Sequence, residues 1–547
     1  MKGIGKYLRW LWSRSGGVRW QLVLNIVIGW LGVALNLLFI WLSKRLVDMA
    51  SGSGAVSKDA LVTGGCMLVV VMVVRILVTA WGSRLENLTY ARMNFLIRSQ
   101  LFSNLLQGQW QGKEKMHSGD TLNRLFTDVD QVTRVICQEF PSLFTTLFQL
   151  VAAFSFLCIM DWRLAVAVLA ITPVFLFLSK VFFKRLRTLN REIRESESRA
   201  QSHIQETLQH KTLVQSLERG PMMEDELDRI QDEEYGQVRR RTDFNVYSRM
   251  VVSAAFTAGY VAALLWGVFG IWSGSMTFGM LTAFLQLVGQ IQGPSVRLTR
   301  QVPSFIYATN SIDRLSELED APKEESGPAE TFGLAGVRLE DVSFRYPDGD
   351  RNVLDGFSYD FKPGSRTAIV GETGVGKSTL IRLLLSLLRP GSGRVIVYDG
   401  VKSCEASAQT RSAFVYVPQG NSLFSGSIRD NLLMGDPSAD EKRMWDALTT
   451  ASADFVRDLP DGLDTICGER GSGLSEGQAQ RIAIARGLLR PGSILLLDEF
   501  SSSLDPETEE RLMGNLCGER RDKTMIFITH RERITDFCDG VLRLRRD

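Results

Sequence analysis

Residues 250–296 carry no charged side chain over their whole length, which few soluble folds tolerate. About 20 apolar residues at roughly 1.5 Å each cross a hydrocarbon core, so this run is long enough for two crossings. Residues 273–279, with two glycines and no bulky aliphatic cluster, predict the turn between them. Residues 22–42, 140–160 and 164–179 are also uncharged, and 61–81 contain only Arg75. Six membrane helices are therefore expected.

The mean hydropathy of +0.01 averages this apolar half against a soluble one. The expected organisation is a membrane domain over residues 1–320, a linker over 321–336 and a soluble domain over 337–547. Residues 322–330 mark the linker, because proline, glycine and charge replace the apolar pattern there. Lys2, Lys6, Arg9, Arg14 and Arg19 precede the first apolar run and place the N-terminus in the cytoplasm. The basic stretches 84–139 and 180–249 belong on the same side, and each reads as helical extensions of its flanking spans. The expected location is the cytoplasmic (inner) membrane, with the lipid bilayer as a partner. The first apolar run is too long for the h-region of a signal peptide and is expected to stay in the protein. The seven cysteines form no CxxC pair, and the last four fall in a domain expected in the cytosol, so no disulfide and no zinc site is expected. A net charge of +2 implies no nucleic-acid partner.

The soluble half carries three dense motifs. GETGVGKST spans 371–379, behind a run at 366–370 that reads as a short buried strand. Gly371, Gly374 and Gly376 let the chain turn tightly, so that the backbone from Gly371 through Glu372, Thr373, Gly374, Val375 and Gly376 points N–H groups at a phosphate. A helix beginning near Lys377 presents its positive end to the anion. Lys377 reaches the β- and γ-phosphates, Ser378 offers a hydroxyl to Mg²⁺, and Thr379 reads as structural. These residues imply ATP and Mg²⁺. LLLDE at 495–499 ends an apolar strand and delivers Asp498 and Glu499 at its carboxyl end. Alone, that acidic pair reads equally well as a helix cap; beside the lysine loop, Asp498 reads as the Mg²⁺ ligand and Glu499 as the general base for water.

The third motif, LSEGQ at 474–478, separates this chain from kinases and other P-loop enzymes. With it, residues 337–547 resemble the nucleotide-binding domain of an ATP-binding cassette (ABC) transporter. The resemblance implies an α/β P-loop ATPase domain in which Ser475, Gly477 and Gln478 complete the ATP site of an opposing subunit. It implies further that Tyr346 stacks on adenine, that Gln419 touches Mg²⁺ or the attacking water, that Asp505 in the Ser503–Leu504–Asp505 loop lies at the dimer interface, and that His530 contacts the γ-phosphate and orients Glu499. Two features depart from the family pattern: Glu476 stands where glycine is common, and the chain stops soon after the strand expected at 540–544.

The membrane half extends the resemblance to type IV, exporter-type ABC transporters, helped by HSGDTLNRLFTDVDQV at 117–132 and IDRLSEL at 312–318. The implied fold is an α-helical membrane domain of six transmembrane helices fused to the ABC ATPase domain. Helices four and five cross to the partner, and coupling turns lie near 208–213 and 111–116. Glu469 resembles a loop that meets those turns. The implied function is ATP-driven export or flipping of a hydrophobic or amphipathic substrate by alternating access. The implied partner is a second copy, in a domain-swapped homodimer, or a related half transporter. A membrane ATPase that regulates or assembles another protein is the alternative. Arg75, Arg297 and Arg300 either hold an anionic amphiphile or merely pack and snorkel at helix ends.

Overall fold

The computed structural model describes residues 4–52, 57–109, 118–320, 322–325, 327–347, 349, 351–372, 374–468, 473–519 and 522–545. The expected coupling turn at 111–116, Glu469 and Thr373 lie outside the described residues, as does the side chain of Arg300. Two compact units divide the chain, Met1–Ser103 with Ser118–Glu319 and Asn104–His117 with Asp320–Asp547.

The first unit is helical. A short amphipathic α1 (Ile4–Arg14) precedes α2 (Arg19–Ser51) and α3 (Lys58–Gln107), the last turn of which falls in the second unit. Next come α4 (Ser118–Asn123), a π turn at Arg124–Asp128, α5 (Val129–Arg134), a second π turn at Val135–Glu139, and α6 (Phe140–Met160). Then follow α7 (Trp162–Gln209), α8 (Lys211–Ser216), α9 (Gly220–Trp272) and α10 (Phe278–Glu319). Among the described residues, four helices are long and apolar enough to cross a membrane: α2, α3, the continuous rod at 119–160, and α9. The other two expected spans fall on α7 and α10. The break between α9 and α10 comes where the glycines at 274 and 279 predict it, with Gly274 at φ +73.

Apolar side chains face outward along these helices: Val69, Val73, Ile76, Leu77 and Trp81 of α3 are all at least half exposed. That is the surface a lipid solvent requires, since burial inside the protein gains nothing there over burial in acyl chains. What holds the helices together is close approach. Gly279 N–H donates to Asp48 Oδ1 at 2.8 Å, and a Cβ on Gly279 would stand 2.2 Å from the Lys44 carbonyl oxygen. Pro294 and Pro303 interrupt the hydrogen-bond ladder of α10, so the carbonyl of Gln290 lacks its usual helical donor.

The second unit contains two larger sheets. β1 (Gly336–Phe344), β2 (Leu354–Phe361), β4 (Ser392–Tyr398) and β5 (Ser403–Glu405) form an antiparallel sheet in the order β2-β1-β4-β5. β3 (Arg366–Val370), β6 (Phe414–Val417), β9 (Ile494–Asp498), β10 (Thr524–Ile528) and β11 (Gly540–Arg543) form a parallel sheet in the order β11-β3-β10-β9-β6. A small ribbon pairs β7 (Gly426–Ser427) with β8 (Ile466–Cys467). The helices of this unit are α11 (Lys377–Leu384), α12 (Ile428–Leu433), α13 (Glu441–Thr450), α14 (Glu476–Leu489) and α15 (Pro506–Glu519). Ile494 to Leu497 are wholly buried, as expected of a central parallel strand covered on both faces.

The linker is not a free tether. Gln109 N–H donates to the Pro322 carbonyl at 2.7 Å and Glu324 N–H to that of Gln107 at 2.9 Å, forming a short bridge. Arg411 then grips Glu324 with two hydrogen bonds of 2.6 Å.

Candidate functional site

The parallel sheet brings the separated motifs together. Ile528 pairs with Ile369 on one side and Asp498 on the other, while Val417 pairs with Leu497. Four neighbouring strands thus end at one edge, and just beyond them lie Gly371 after β3, His530 after β10, Glu499 after β9 and Gln419 after β6. Ligands of open parallel sheets sit beyond this carboxyl edge.

The loop from β3 to α11 has the glycines its course demands. A Cβ on Gly371 would meet the Leu544 carbonyl oxygen at 2.7 Å. Gly374 and Gly376 hold φ of +87° and +101°, and a Cβ on Gly374 would project into open space. Val375 is buried, so only its backbone serves the loop, whereas Glu372 and Ser378 are exposed. Lys377 is buried; its Nζ donates to the Gly371 carbonyl at 2.7 Å and stands 2.7 Å from His530 Nε2. Burial lowers the pKa of this ammonium, against the pull of Glu499 and Asp498. Thr379 is buried, and its Oγ1 lies 3.1 Å from the Tyr346 hydroxyl, which also accepts from Arg382 at 3.1 Å. Tyr346 is therefore tied by its edge to α11, next to the loop.

Glu499 is the hub of the opposite wall. Its backbone sits at φ +44, a conformation costly for a non-glycine residue, and its N–H donates to the Ile528 carbonyl at 2.9 Å. Gln419 Nε2 donates to Oε2 at 2.5 Å, and His530 Nε2 lies 3.0 Å from Oε1. The same ring nitrogen faces Lys377. Unprotonated, it accepts from Lys377; protonated, it donates to Glu499. Gln480 Nε2 donates to the Glu499 carbonyl at 3.3 Å. Beside the hub, burial and the neighbouring Glu499 charge push the Asp498 carboxyl up to about 6. Tyr416 donates to Asp498 Oδ2 at 3.4 Å, its phenol pushed up to about 12 by burial and by that carboxylate.

Asp498 ends β9, Gln419 follows β6 and Ser378 lies in the first turn of α11; their oxygens are hard donors of the kind that suits Mg²⁺. The glycine cradle, open at Gly374 and followed by the N-terminus of α11, suits a triphosphate.

The LSEGQ segment opens α14. Ser475 Oγ accepts from Gln478 N–H at 3.2 Å while Gln478 Oε1 accepts from Ser475 N–H at 2.9 Å, a reciprocal cap. Glu476 is exposed in the first turn, where a negative charge favours the helix. Gly477 is buried against the 503–505 loop. Asp505 caps α15 by accepting from Thr508 N–H at 2.9 Å, a bond that holds its carboxyl below the usual range. Arg531 clamps the same loop, donating to the carbonyls of Ser502 at 3.1 Å and Leu504 at 3.2 Å. Tyr416, Gln480 and Arg531 escape sequence reading; only Tyr416 leaves a trace, as a tyrosine beside the YVPQ glutamine.

In the membrane unit, Arg75 and Arg297 line one cavity of about 900 Å³ between α2, α3, α6 and α10. Glu86 of α3 and Glu139 of the second π turn share its wall.

Comparison with known proteins agrees with this architecture. The family model of the ABC transporter transmembrane region matches residues 22–295, and the ABC transporter model matches 354–502. ABC transporter B family member 1 of Dictyostelium discoideum is 30% identical over 473 residues, 85% of this chain but only 52% of that protein, so the chain spans about half its length. A Staphylococcus aureus protein, named as a candidate multidrug export ATP-binding/permease protein, is 28% identical over 96% of this chain and 92% of its own. The fold matches that of a bacterial Atm1-family ABC exporter with ATP bound, with a TM-score of 0.81 at 23% identity, covering 97% of this chain and 96% of the other. With a membrane region and an ATPase domain of this kind fused in one polypeptide, the chain belongs to the ABC transporter family.

Proposed function

We propose that the protein is an ATP-driven exporter of an amphipathic substrate, working by alternating access as a dimer. The observation that carries this reading is the set of contacts on Glu499, which aims one carboxylate at the mouth of a glycine cradle and holds it from both sides. ATP binds with its phosphates on the 371–379 loop, its charge met by Lys377 and the N-terminus of α11, and with Tyr346 against the adenine. Ser475, Gly477 and Gln478 of a second copy complete the site, with Asp505 at the same interface. Mg²⁺, held by Ser378, Asp498 and Gln419, would neutralise charge on the β- and γ-phosphates. Gln419 and His530 orient Glu499, which takes a proton from the attacking water as the oxygen bonds the γ-phosphorus and ADP departs. ATP favours the closed dimer because it binds that state more tightly, and hydrolysis removes the advantage. The membrane cavity then alternates between the cytoplasm and the outside, with the ATPase domain in the cytoplasm.

The test is ATPase activity of the purified full chain in lipid nanodiscs, wild type beside Glu499→Gln, across a panel of lipids, drugs and peptides. Activity abolished by the substitution and stimulated by one class of compound supports the homodimeric exporter. A wild type that hydrolyses no ATP overturns the homodimer and points to a related half transporter or to a regulatory ATPase.

A further inference from the structure

The cavity in the membrane unit is lined with charge that its own helices do not neutralise. Among the described residues, the Arg75 guanidinium makes no hydrogen bond or ion pair, and neither do the Glu86 and Glu139 carboxylates. Arg297 donates to Gln149 Oε1 at 3.1 Å, a neutral partner. Charges in a membrane domain are costly and ordinarily pair with one another when they serve structure alone. Here two cations and two anions share one wall without forming a bridge.

Their arrangement along the membrane is ordered. Arg75 and Glu86 are separated by close to a whole number of helical turns, so they project from the same face of α3, about 16 Å apart along its axis. α3 runs toward the cytoplasm, so Arg75 stands deeper in the bilayer and Glu86 nearer the cytoplasmic mouth. Glu139 immediately precedes α6 and lies within range of the Glu86 charge. The π turn that ends at Glu139 brings Gln138 and Glu139 to the cavity wall together. Such turns recur at functional sites because they redirect consecutive side chains. A Cβ on Gly32, Gly289 or Gly293, all on the wall, would meet nothing within 4 Å, so these positions keep the space open.

We propose that this cavity binds an amphoteric solute, its anionic group on Arg75 and Arg297 and its cationic group toward Glu86 and Glu139, with the two charges on the order of 10 Å apart. This inference rests on the transport reading and narrows its amphipathic substrate to one carrying both signs of charge. A zwitterionic lipid headgroup shares the chemistry, but its charges are only a few bonds apart and cannot reach both ends.

The test is isothermal titration of the nucleotide-free full chain in phosphatidylcholine nanodiscs with a ladder of α,ω-amino acids: 4-aminobutanoate, 8-aminooctanoate and 12-aminododecanoate. Octanoate and octylamine serve as singly charged controls. The expected result is an optimum at 8-aminooctanoate, bound at least tenfold more tightly than either control. Glu86→Gln should abolish the advantage over octanoate while leaving octanoate binding unchanged, which also reports that the variant is folded. Arg75→Gln should abolish the advantage over octylamine in the same way. Gly289→Leu, which fills the cavity without changing charge, should weaken the whole ladder. Equal binding of 8-aminooctanoate and its singly charged controls overturns the proposal. So does an absence of ladder binding accompanied by ATPase activity that follows phosphatidylethanolamine content, which assigns the cavity to a headgroup. Because binding is read without ATP, ladder binding in a protein that hydrolyses no ATP would overturn the homodimeric exporter and leave this proposal standing.

Discussion

A Cβ on Gly477 would stand 2.7 Å from the carbonyl oxygen of Ser503. The signature glycine is thus a packing contact within its own domain, whatever it does for a nucleotide on an opposing subunit. Gly477→Ala must push the 503–505 loop away from α14, and overpacking of this kind costs about 1–3 kcal/mol. Thermal unfolding of the nucleotide-free protein should show a midpoint lowered by several degrees. An unchanged midpoint would remove the packing role and leave phosphate contact as the whole explanation.

Gln419 and His530 both contact the Glu499 carboxylate, and in the proposed mechanism they act on catalysis through it. Gln419→Ala removes the 2.5 Å bond that holds one carboxylate oxygen. Its expected effect is a fall in kcat of about 10- to 100-fold with little change in the KM for ATP, because the interaction serves the reacting water more than ground-state binding. Steady-state kinetics separates the two; a rise in KM at constant kcat would assign Gln419 to nucleotide binding instead.

Asp498 gives the nucleotide-free protein a pH dependence of unusual sign. Its carboxyl is raised from 3.8 to about 6 by burial and by the charge of Glu499. Between those values the folded state binds a proton that the unfolded chain releases, so this residue's contribution to stability falls as pH rises through the window and is fully lost above it. Unfolding midpoints measured from pH 4 to 7 should decline less steeply in Asp498→Asn than in the wild type. Parallel curves would show that Asp498 titrates at its ordinary value.

Arg411 joins the linker to the ATPase domain. Besides its paired bonds to Glu324, it donates to the carbonyls of Leu385 at 2.7 Å and Ser386 at 2.8 Å. Arg411→Ala releases the linker while leaving the 371–379 loop intact. Limited proteolysis should then cut within 320–330 several-fold faster than in the wild type, and an unchanged rate would show that the short bridge to 107–109 suffices.

What the sequence discloses here is what is locally determined. The strands at 366–370 and 494–498, the helix start at Lys377 and the break after Trp272 all follow from apolar runs and from glycines where the backbone must turn. The meeting of Gln419, Glu499 and His530 needed the family resemblance, since nothing local says which strand ends adjoin. Partners chosen across the sheet stayed hidden: Gln480 on the Glu499 carbonyl, Arg531 on the 502–504 carbonyls, Tyr416 on Asp498. The cavity was half legible. Arg75 stands out as a lone charge in an apolar run, whereas Glu86 and Glu139 sit in a stretch already rich in charge, where a carboxylate attracts no notice until α3 and the π turn set both on one wall. The pairing of 107–109 with 322–324 joins segments more than two hundred residues apart and has no sequence signature.

The reciprocal cap on α14 gives the Gln478 N–H two alternative acceptors. It now donates to the Ser475 hydroxyl oxygen, and in the proposed dimer a phosphate from the other subunit would be met by the same helix end. An anion seated there does for those amides what the serine does now, so gripping it exchanges one cap for another and places little net demand on the helix. In the proposed dimer, a helix built in this way would engage and release a nucleotide cycle after cycle without fraying, its first turn satisfied in both states.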